Sequence, residues 1–250
     1  LISRKVSYFD RSCSGWGYEQ FERIKDNIMN ILMGKSITAK YENCVEVRIQ
    51  DMFDLANDND LKDLTLKCKN EPDKTKRRNV KRTMPIFYPC IDTTQRENKV
   101  SNGVFQFDLD LEDNEETDFL TLRQQLEQQA YVRYVMQSPS GGLKFAVQTD
   151  FHEVVGQYTL TCKQAYKIAH RFLIKVVHKE CGYFTNDPSV EKTSQSCFLA
   201  YDPETFANTN VAPYVFNEDQ LRDISNTQQQ PNQINDELSQ SNLQLAEQAK

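Results

Sequence analysis

The sequence predicts an α+β fold, in which strands and helices alternate without a regular β-α-β period. Stretches with apolar residues at every second position, typical of strands, recur between residues 45 and 201. Stretches with apolar residues three or four positions apart, typical of helices, lie before and between them. The 250 residues are 38% hydrophobic and 26% charged, which fits a globular protein with one large domain or two small ones.

The amino-terminal part predicts a helix and then a short strand. Tyr18–Met33 carries its apolar residues at helical spacing, and Val45–Ile49 alternates as a strand does. The acidic stretch Asp54–Asp63 is expected at the surface. The basic stretch Lys74–Arg82 contains six lysines and arginines. Taken alone, it fits a solvated loop as well as a phosphate-binding segment.

The middle of the chain predicts three strands and a helix. The strands are Val104–Leu111, Tyr131–Met136 and Leu143–Thr149, and the turn Ser138–Gly142 precedes the third. Residues 118–129 are predicted to be a helix that Asp118 caps.

The carboxyl-terminal part predicts a long helix that starts at Thr161 and a short strand over Cys197–Tyr201. After Phe216 glutamine, asparagine and serine dominate and aromatic residues are absent. Such a composition is typical of a linker or a disordered tail. We therefore expect a catalytic or binding domain over residues 1–216 and a tail over 217–250.

Cysteine usage and hydropathy favour a cytoplasmic protein. The seven cysteines form no C-x-x-C pair, and their odd number leaves at least one outside any disulfide scheme. A reduced compartment is therefore expected, and a zinc site is disfavoured. No apolar run approaches the roughly 18 residues that a membrane span requires, so no membrane partner is expected.

Asp108 and Asp110 are the sharpest candidates for chemistry. Side chains alternate faces along a strand, so Phe105, Phe107 and Leu109, with Leu111, are expected to be buried on one face. The two aspartates then share the opposite face, about 7 Å apart. Paired carboxylates repel unless a cation lies between them, and oxygen ligands suit Mg²⁺ or Mn²⁺. An ordinary exposed strand face gives the same pattern.

Ser138–Gly142 and Lys144 form the second candidate site. Glycines let backbone amides approach an anion closely, and strand alternation is expected to point Lys144 outward, beside Ser140 and Gly141. The spacing is not that of a Walker A loop. A tight turn followed by a surface lysine explains the pattern equally well.

Two further aspartates, Asp187 and Asp202, are open alternatives for a third carboxylate. Each stands beside a proline, and each is also typical of a turn or cap.

Taken in order, these segments resemble the archaeo-eukaryotic primase superfamily, most closely the VirE amino-terminal-like branch of phage and mobile-element replication proteins. The resemblance extends over roughly Lys5–Asn208. It is carried by the following stretches: KRTMPIFYP at Lys81–Pro89, FDLDLED at Phe107–Asp113, SPSGGLKFAV at Ser138–Val147 and DPSVEKTSQSCFLAYDPETFAN at Asp187–Asn208.

The resemblance implies roles for these residues. Asp108 and Asp110, with Asp187 preferred over Asp202 as the third carboxylate, would be catalytic and bind Mg²⁺ or Mn²⁺. The remaining implied contacts are with nucleotide phosphates, through Ser138, Ser140, Gly141, Lys144, Lys81 and Arg82. Many members of the superfamily have histidine at the position of Lys144. The family's third motif usually carries an arginine where this chain has Gln195. Loss of that arginine would weaken phosphate binding or shift its task to the Lys74–Arg82 cluster.

The resemblance also implies a fold and a function. The fold would be an RRM-like catalytic sheet flanked by helices and packed on an amino-terminal α/β unit. The function would be that of a DNA primase-polymerase, which joins nucleoside triphosphates on a single-stranded DNA template and works with a fused or associated helicase. A non-catalytic nucleic-acid-binding module and a metal-dependent nuclease are the alternatives.

Overall fold

A computed structural model describes residues 30–38, 43–93, 101–151 and 162–229. Over these residues the chain forms two four-stranded antiparallel sheets and six α-helices, which confirms the predicted α+β class. Most of the helix predicted over Tyr18–Met33 lies outside the described residues. Within the described part of the chain, no helix is both long and apolar enough to cross a membrane.

The first sheet has the strand order β2-β1-β3-β7. Its strands are β1 (Asn30–Gly34), β2 (Val45–Arg48), β3 (Ile86–Tyr88) and β7 (Cys197–Phe198). The helix prediction is wrong over β1. Ile31 and Leu32 fit either structure when read alone, but β1 lies between β2 and β3 and is hydrogen-bonded to both.

Three helices connect β2 to β3: α1 (Ile49–Leu55), α2 (Asn59–Lys69) and α3 (Lys74–Lys81). The loop interpretation of the basic stretch is wrong, because α3 covers most of it. The Asp73 carboxylate accepts a hydrogen bond from the backbone N–H of Lys76 and so caps α3. Asp58 caps α2 in the same way, and the aspartates of the acidic stretch are exposed, as predicted.

The second sheet has the strand order β4-β6-β5-β8. Its strands are β4 (Val104–Leu109), β5 (Val132–Gln137), β6 (Leu143–Gln148) and β8 (Phe206–Ala207), and α4 (Phe119–Glu127) follows β4. Because β4 and β5 are both antiparallel to β6, they are parallel to each other with β6 inserted between them. This is a split β-α-β arrangement. Asp118 caps α4, as predicted.

The last helices are α5 (Cys162–Cys181) and α6 (Glu218–Gln229). The expectation of a linker from residue 217 onward is wrong for residues 218–229, because they form α6. Leu221 and Ile224 of this helix are buried in the core. Leu221 and Ile224 are three positions apart, as on one face of a helix, but the composition of the segment is mostly polar and so does not indicate a buried helix. Residues 230–250 lie outside the described part of the chain.

The second sheet is covered on both faces. On one face Phe105 stacks on Tyr166 of α5, with ring centroids 4.3 Å apart. On the other face Tyr134 meets Phe87 of the first sheet at 6.1 Å and Phe53 of α1 at 6.0 Å. Polar side chains on this second face therefore lie between the two sheets.

Burial of Leu111 is contradicted by the structure, since this side chain is 48% exposed. Strand β4 ends at Leu109, and residues 111–113 form a short 3-10 helix, so the alternation of faces stops there. Phe105, Phe107 and Leu109 are buried, as predicted.

Candidate nucleotide and metal site

An internal ion pair joins Asp108 and Lys144. The two residues are directly opposite each other in the antiparallel pair β4 and β6, and the Lys144 ammonium donates a hydrogen bond to Oδ2 of Asp108. Lys144 is only 4% exposed. The expectation that it points outward is wrong, because the first sheet covers the polar face of the second.

The charge of Lys144 is held by its carboxylate neighbours. Burial alone lowers the pKa of Lys144, but the negative charges of Asp108 and Asp110 and the hydrogen bond to Asp108 outweigh it, so that its pKa is raised. Lys144 therefore stays protonated and balances Asp108 electrostatically.

Asp110 lies just beyond the end of β4 in the same electrostatic environment. Burial raises the pKa of Asp110, and the negative charges of Asp108 and Asp187 raise it further. The positive charges of Lys81 and Lys144 act in the opposite direction. The structure thus brings Asp108, Asp110 and Asp187 near one another.

Backbone hydrogen bonds place Asp187 beside β4. The Asp187 N–H donates to the Asp108 carbonyl at 2.9 Å, and the Asp108 N–H donates to Oδ1 of Asn186 at 3.0 Å. The Asp187 carboxylate accepts hydrogen bonds from the backbone N–H and the hydroxyl of Ser189, at 2.8 and 2.7 Å. It therefore also acts as the cap that sequence reasoning left open.

The hydrogen bonds of Asp202 hold one segment of the chain against another. Asp202 accepts hydrogen bonds from the Gln137 backbone N–H at 2.7 Å and from Nη1 of Arg123 at 3.2 Å, and it is buried. These contacts fix the segment before β8 against β5 and α4. They favour Asp187 over Asp202 as the third carboxylate.

The turn Ser138–Gly142 is locked against the end of β4. The Ser138 N–H donates to the Gly142 carbonyl at 2.8 Å, and the Gly142 N–H donates to Oγ of Ser138 at 3.0 Å. A Cβ on Gly142 would lie 2.1 Å from the Leu109 carbonyl oxygen, so only glycine fits there. Gly141 has a φ of +94°, which also favours glycine.

Lys81 reaches this turn from the end of α3. Its ammonium donates a hydrogen bond to Oγ of Ser140 at 3.2 Å, and its charge lowers the pKa of Asp110. Arg82 follows as the exposed cap of the helix. In the described part of the chain, no hydrogen bond or ion pair joins the Arg82 side chain to the other candidate residues.

Sequence reasoning missed two residues of this site. Asn186 holds the end of β4, and Lys69, the last residue of α2, lies over the turn, with its Cε 3.6 Å from the position that a Cβ on Gly141 would take. Proximity to Asp187 could have drawn attention to Asn186. Lys69 carried no signal, because its place depends on how α2 packs against α3.

The carboxylates have one feature that fits a divalent cation. Within the described ranges, no group of three or more His, Cys, Asp or Glu residues is arranged as a metal site. Oδ1 of Asp108, however, is buried and has no hydrogen-bond partner there, although Oδ2 contacts Lys144. An unpartnered carboxylate oxygen near Asp110 is the kind of donor that Mg²⁺ or Mn²⁺ takes.

Gln195 makes only local contacts among those the structure describes. Its backbone N–H donates to the Lys192 carbonyl at 3.2 Å, and its Nε2 donates to the Ser196 carbonyl at 3.3 Å. Its amide side chain carries no charge that would replace an arginine.

Comparison with known proteins gives one match. No curated protein and no solved structure matches the chain. The model of one family, described as BT4734-like, N-terminal domain, matches residues 79–206, just over half of the chain. The matched segment contains Lys81, Asp108, Asp110, the turn Ser138–Gly142 with Lys144, and Asp187. The chain therefore belongs to the BT4734-like N-terminal domain family.

Proposed function

We propose that this protein is a DNA primase-polymerase domain, which joins nucleoside triphosphates by divalent-metal-dependent nucleotidyl transfer. One observation carries the proposal. The carboxylates of Asp108 and Asp110 and the ammonium group of Lys81 lie close together beside a glycine turn. Carboxylates that bind metal beside cations that bind phosphate are the parts that phosphoryl transfer requires.

In this proposal the carboxylates act through a bound metal ion, and the cations act directly on the triphosphate. Asp108, Asp110 and Asp187 hold Mg²⁺ or Mn²⁺, which supplies charge neutralisation of the phosphates when bound. Ser138, Ser140 and Gly141, together with Lys81, orient the triphosphate. The 3′-hydroxyl of the growing strand attacks the α-phosphorus and loses its proton to solvent, a new phosphodiester bond forms, and pyrophosphate leaves with the electrons of the broken bond.

The wider setting rests on the sequence resemblance. It includes an RRM-like second sheet, a single-stranded DNA template, a fused or associated helicase and a cytoplasmic location in a phage or mobile-element replication system. The split β-α-β arrangement of β4, α4, β5 and β6 is compatible with such a sheet.

The test is primer extension on a single-stranded DNA template with Mg²⁺ or Mn²⁺, using ribo- and deoxynucleoside triphosphates separately. Asp108→Asn and Asp110→Asn should each lower the extension rate on the order of a hundredfold or more, because each removes charge that holds the metal. Asp113→Asn is the matched control, since Asp113 is an exposed carboxylate three residues further on. Full extension by Asp108→Asn with Asp110→Asn would refute the proposal.

One observation favours a second candidate, a non-catalytic nucleic-acid-binding module. The internal pair of Asp108 with Lys144 satisfies part of the carboxylate charge without a metal. This candidate predicts DNA binding, measured by fluorescence anisotropy, with no metal-dependent extension by the wild-type protein.

A further inference from the structure

We infer that Lys69 is a phosphate-binding residue, which together with Lys81 grips the terminal phosphates of the nucleoside triphosphate over the turn Ser138–Gly142. This inference rests on the proposed function and adds to it a contact that lies outside the sequence motifs and outside the segment that defines the family. The two lysines come from the ends of two helices, Lys69 from α2 and Lys81 from α3.

The first step is the position of Lys69. Its Cε lies 3.6 Å from where a Cβ on Gly141 would stand, so the end of the Lys69 side chain lies over the turn. The Lys81 ammonium is hydrogen-bonded to the neighbouring residue, Ser140, at 3.2 Å.

The second step is that Lys69 has no counter-charge among the residues that the structure describes. No hydrogen bond or ion pair within the described ranges engages its ammonium. Glu112, three residues beyond the end of β4, is bound by Lys74 at 2.6 Å and by Arg77 at 3.5 Å. A phosphate at the turn would be attracted by both ammonium groups.

The third step is that Lys144 cannot take this task while it remains buried against Asp108. Its ammonium is already hydrogen-bonded to that carboxylate, and its side chain is almost completely covered. Lys69 is exposed and Lys81 is half-buried, so both are accessible to a phosphate that arrives from solvent. Asp108 and Asp110 would hold a divalent cation that neutralises phosphate charge, and the two helix-end lysines would bind the terminal phosphates.

The test is calorimetric titration of the whole protein with ATP, ADP and AMP, and in parallel with dATP, in the presence of Mg²⁺. Lys69→Gln should weaken ATP binding roughly tenfold to a hundredfold, because a charged hydrogen bond to phosphate is lost. AMP binding should stay unchanged, and Lys69→Arg should retain most of the ATP affinity. Lys67→Gln, on the same exposed end of α2, is the matched control and should bind ATP as the wild type does.

A titration with inorganic triphosphate measures how much the triphosphate group contributes to binding without the nucleoside. It should compete with ATP for the wild-type protein and compete less well for Lys69→Gln. Equal ATP affinity in the wild type and Lys69→Gln, or an equal loss for ATP and AMP, would overturn the role of Lys69 and leave nucleotidyl transfer standing. A wild-type protein that binds neither ATP nor dATP with Mg²⁺ would refute both.

Discussion

At the scale of single residues, the alternation of side chains along a strand predicts that Asp108 and Lys144 lie on polar strand faces. It does not predict that they form a buried ion pair. The period of a strand correctly separates Asp108 from Phe105, Phe107 and Leu109. It does not say what covers the polar face. That information comes from the first sheet, whose strands arrive from distant parts of the chain, and it turns Lys144 from a surface cation into a buried one.

Loss of one partner from this pair should cost more than loss of both. Lys144→Met leaves the Asp108 carboxylate without its cation, and we expect the free energy of unfolding to fall by roughly 3 kcal/mol. Lys144→Met combined with Asp108→Asn should cost less than Lys144→Met alone. Urea unfolding of the wild type, the two single variants Lys144→Met and Asp108→Asn, and the double variant measures this double-mutant cycle. Additive costs would show that the two side chains do not interact in solution.

His170 makes stability depend on pH. Burial lowers the pKa of His170 to about 4, from an ordinary value of 6.5, and its Nε2–H donates to the Gln106 carbonyl at 2.6 Å. The unfolded chain therefore binds a proton at higher pH than the folded chain does. Stability is complete above the unfolded pKa and falls as pH drops from about 6.5 towards 4, by about 2 kcal/mol at pH 5.

Urea unfolding at pH 7.5 and pH 5 measures this loss. His170→Gln, which keeps a hydrogen-bond donor but does not titrate, should show a smaller difference between the two pH values. His178, whose pKa is also lowered by burial, remains in both proteins and cancels from the comparison. The same pH difference with and without His170 would contradict the assignment.

At the scale of elements, the strongly patterned segments were predicted and the ambiguous ones were not. The predictions for β4, β5, β6 and α4 hold because each has clear alternation or a capped helical period. The prediction failed for β1, whose short apolar run suits either structure. The paired strands on both of its sides decide it.

The turn Ser138–Gly142 allows no side chain at its last residue. Gly142→Ala places a Cβ against the Leu109 carbonyl, which belongs to backbone and cannot move aside. We expect a loss of about 1–3 kcal/mol in unfolding free energy, together with weaker nucleotide binding, because the turn must shift away from β4. Thermal unfolding and ATP titration measure the two effects.

Gly182→Ala is the control for this substitution. Unlike Gly142, Gly182 has a positive φ, +96°, and the nearest neighbour would lie 3.9 Å from its new Cβ. It should lose stability through backbone strain and keep nucleotide affinity. Normal stability and affinity in Gly142→Ala would mean that the turn is not held against β4.

Helix α6 is part of the folded unit, so two truncations, one on each side of this helix, should have different effects on stability. Truncation after Gln229 should leave stability close to that of the full chain. Truncation after Phe216 removes Leu221 and Ile224 from the core beside α5. Ile224→Ala alone should cost about 2–5 kcal/mol, and Arg222→Ala, on the exposed side, should cost little. Chemical denaturation of the four variants decides.

At the scale of the whole molecule, the candidate site depends on contacts between distant parts of the chain. Asp108 and Lys144 come from adjacent strands, Lys81 and Lys69 from the helices between β2 and β3, and Asp187 from the segment after α5. The individual motifs are visible in the sequence. Their assembly is not, because it requires the packing of one sheet on the other.

Strand β7 affects how the protein folds during its synthesis on the ribosome. It pairs with β3, although Cys197 follows Phe87 by about 110 residues. Translation at roughly 5–20 residues per second leaves the edge of β3 unpaired for several seconds. Its residues Ile86–Tyr88 are apolar or aromatic, and an open edge of this kind recruits other chains. Nascent chains arrested before Cys197 should therefore bind chaperones and aggregate, whereas chains arrested beyond residue 229 should resist proteolysis.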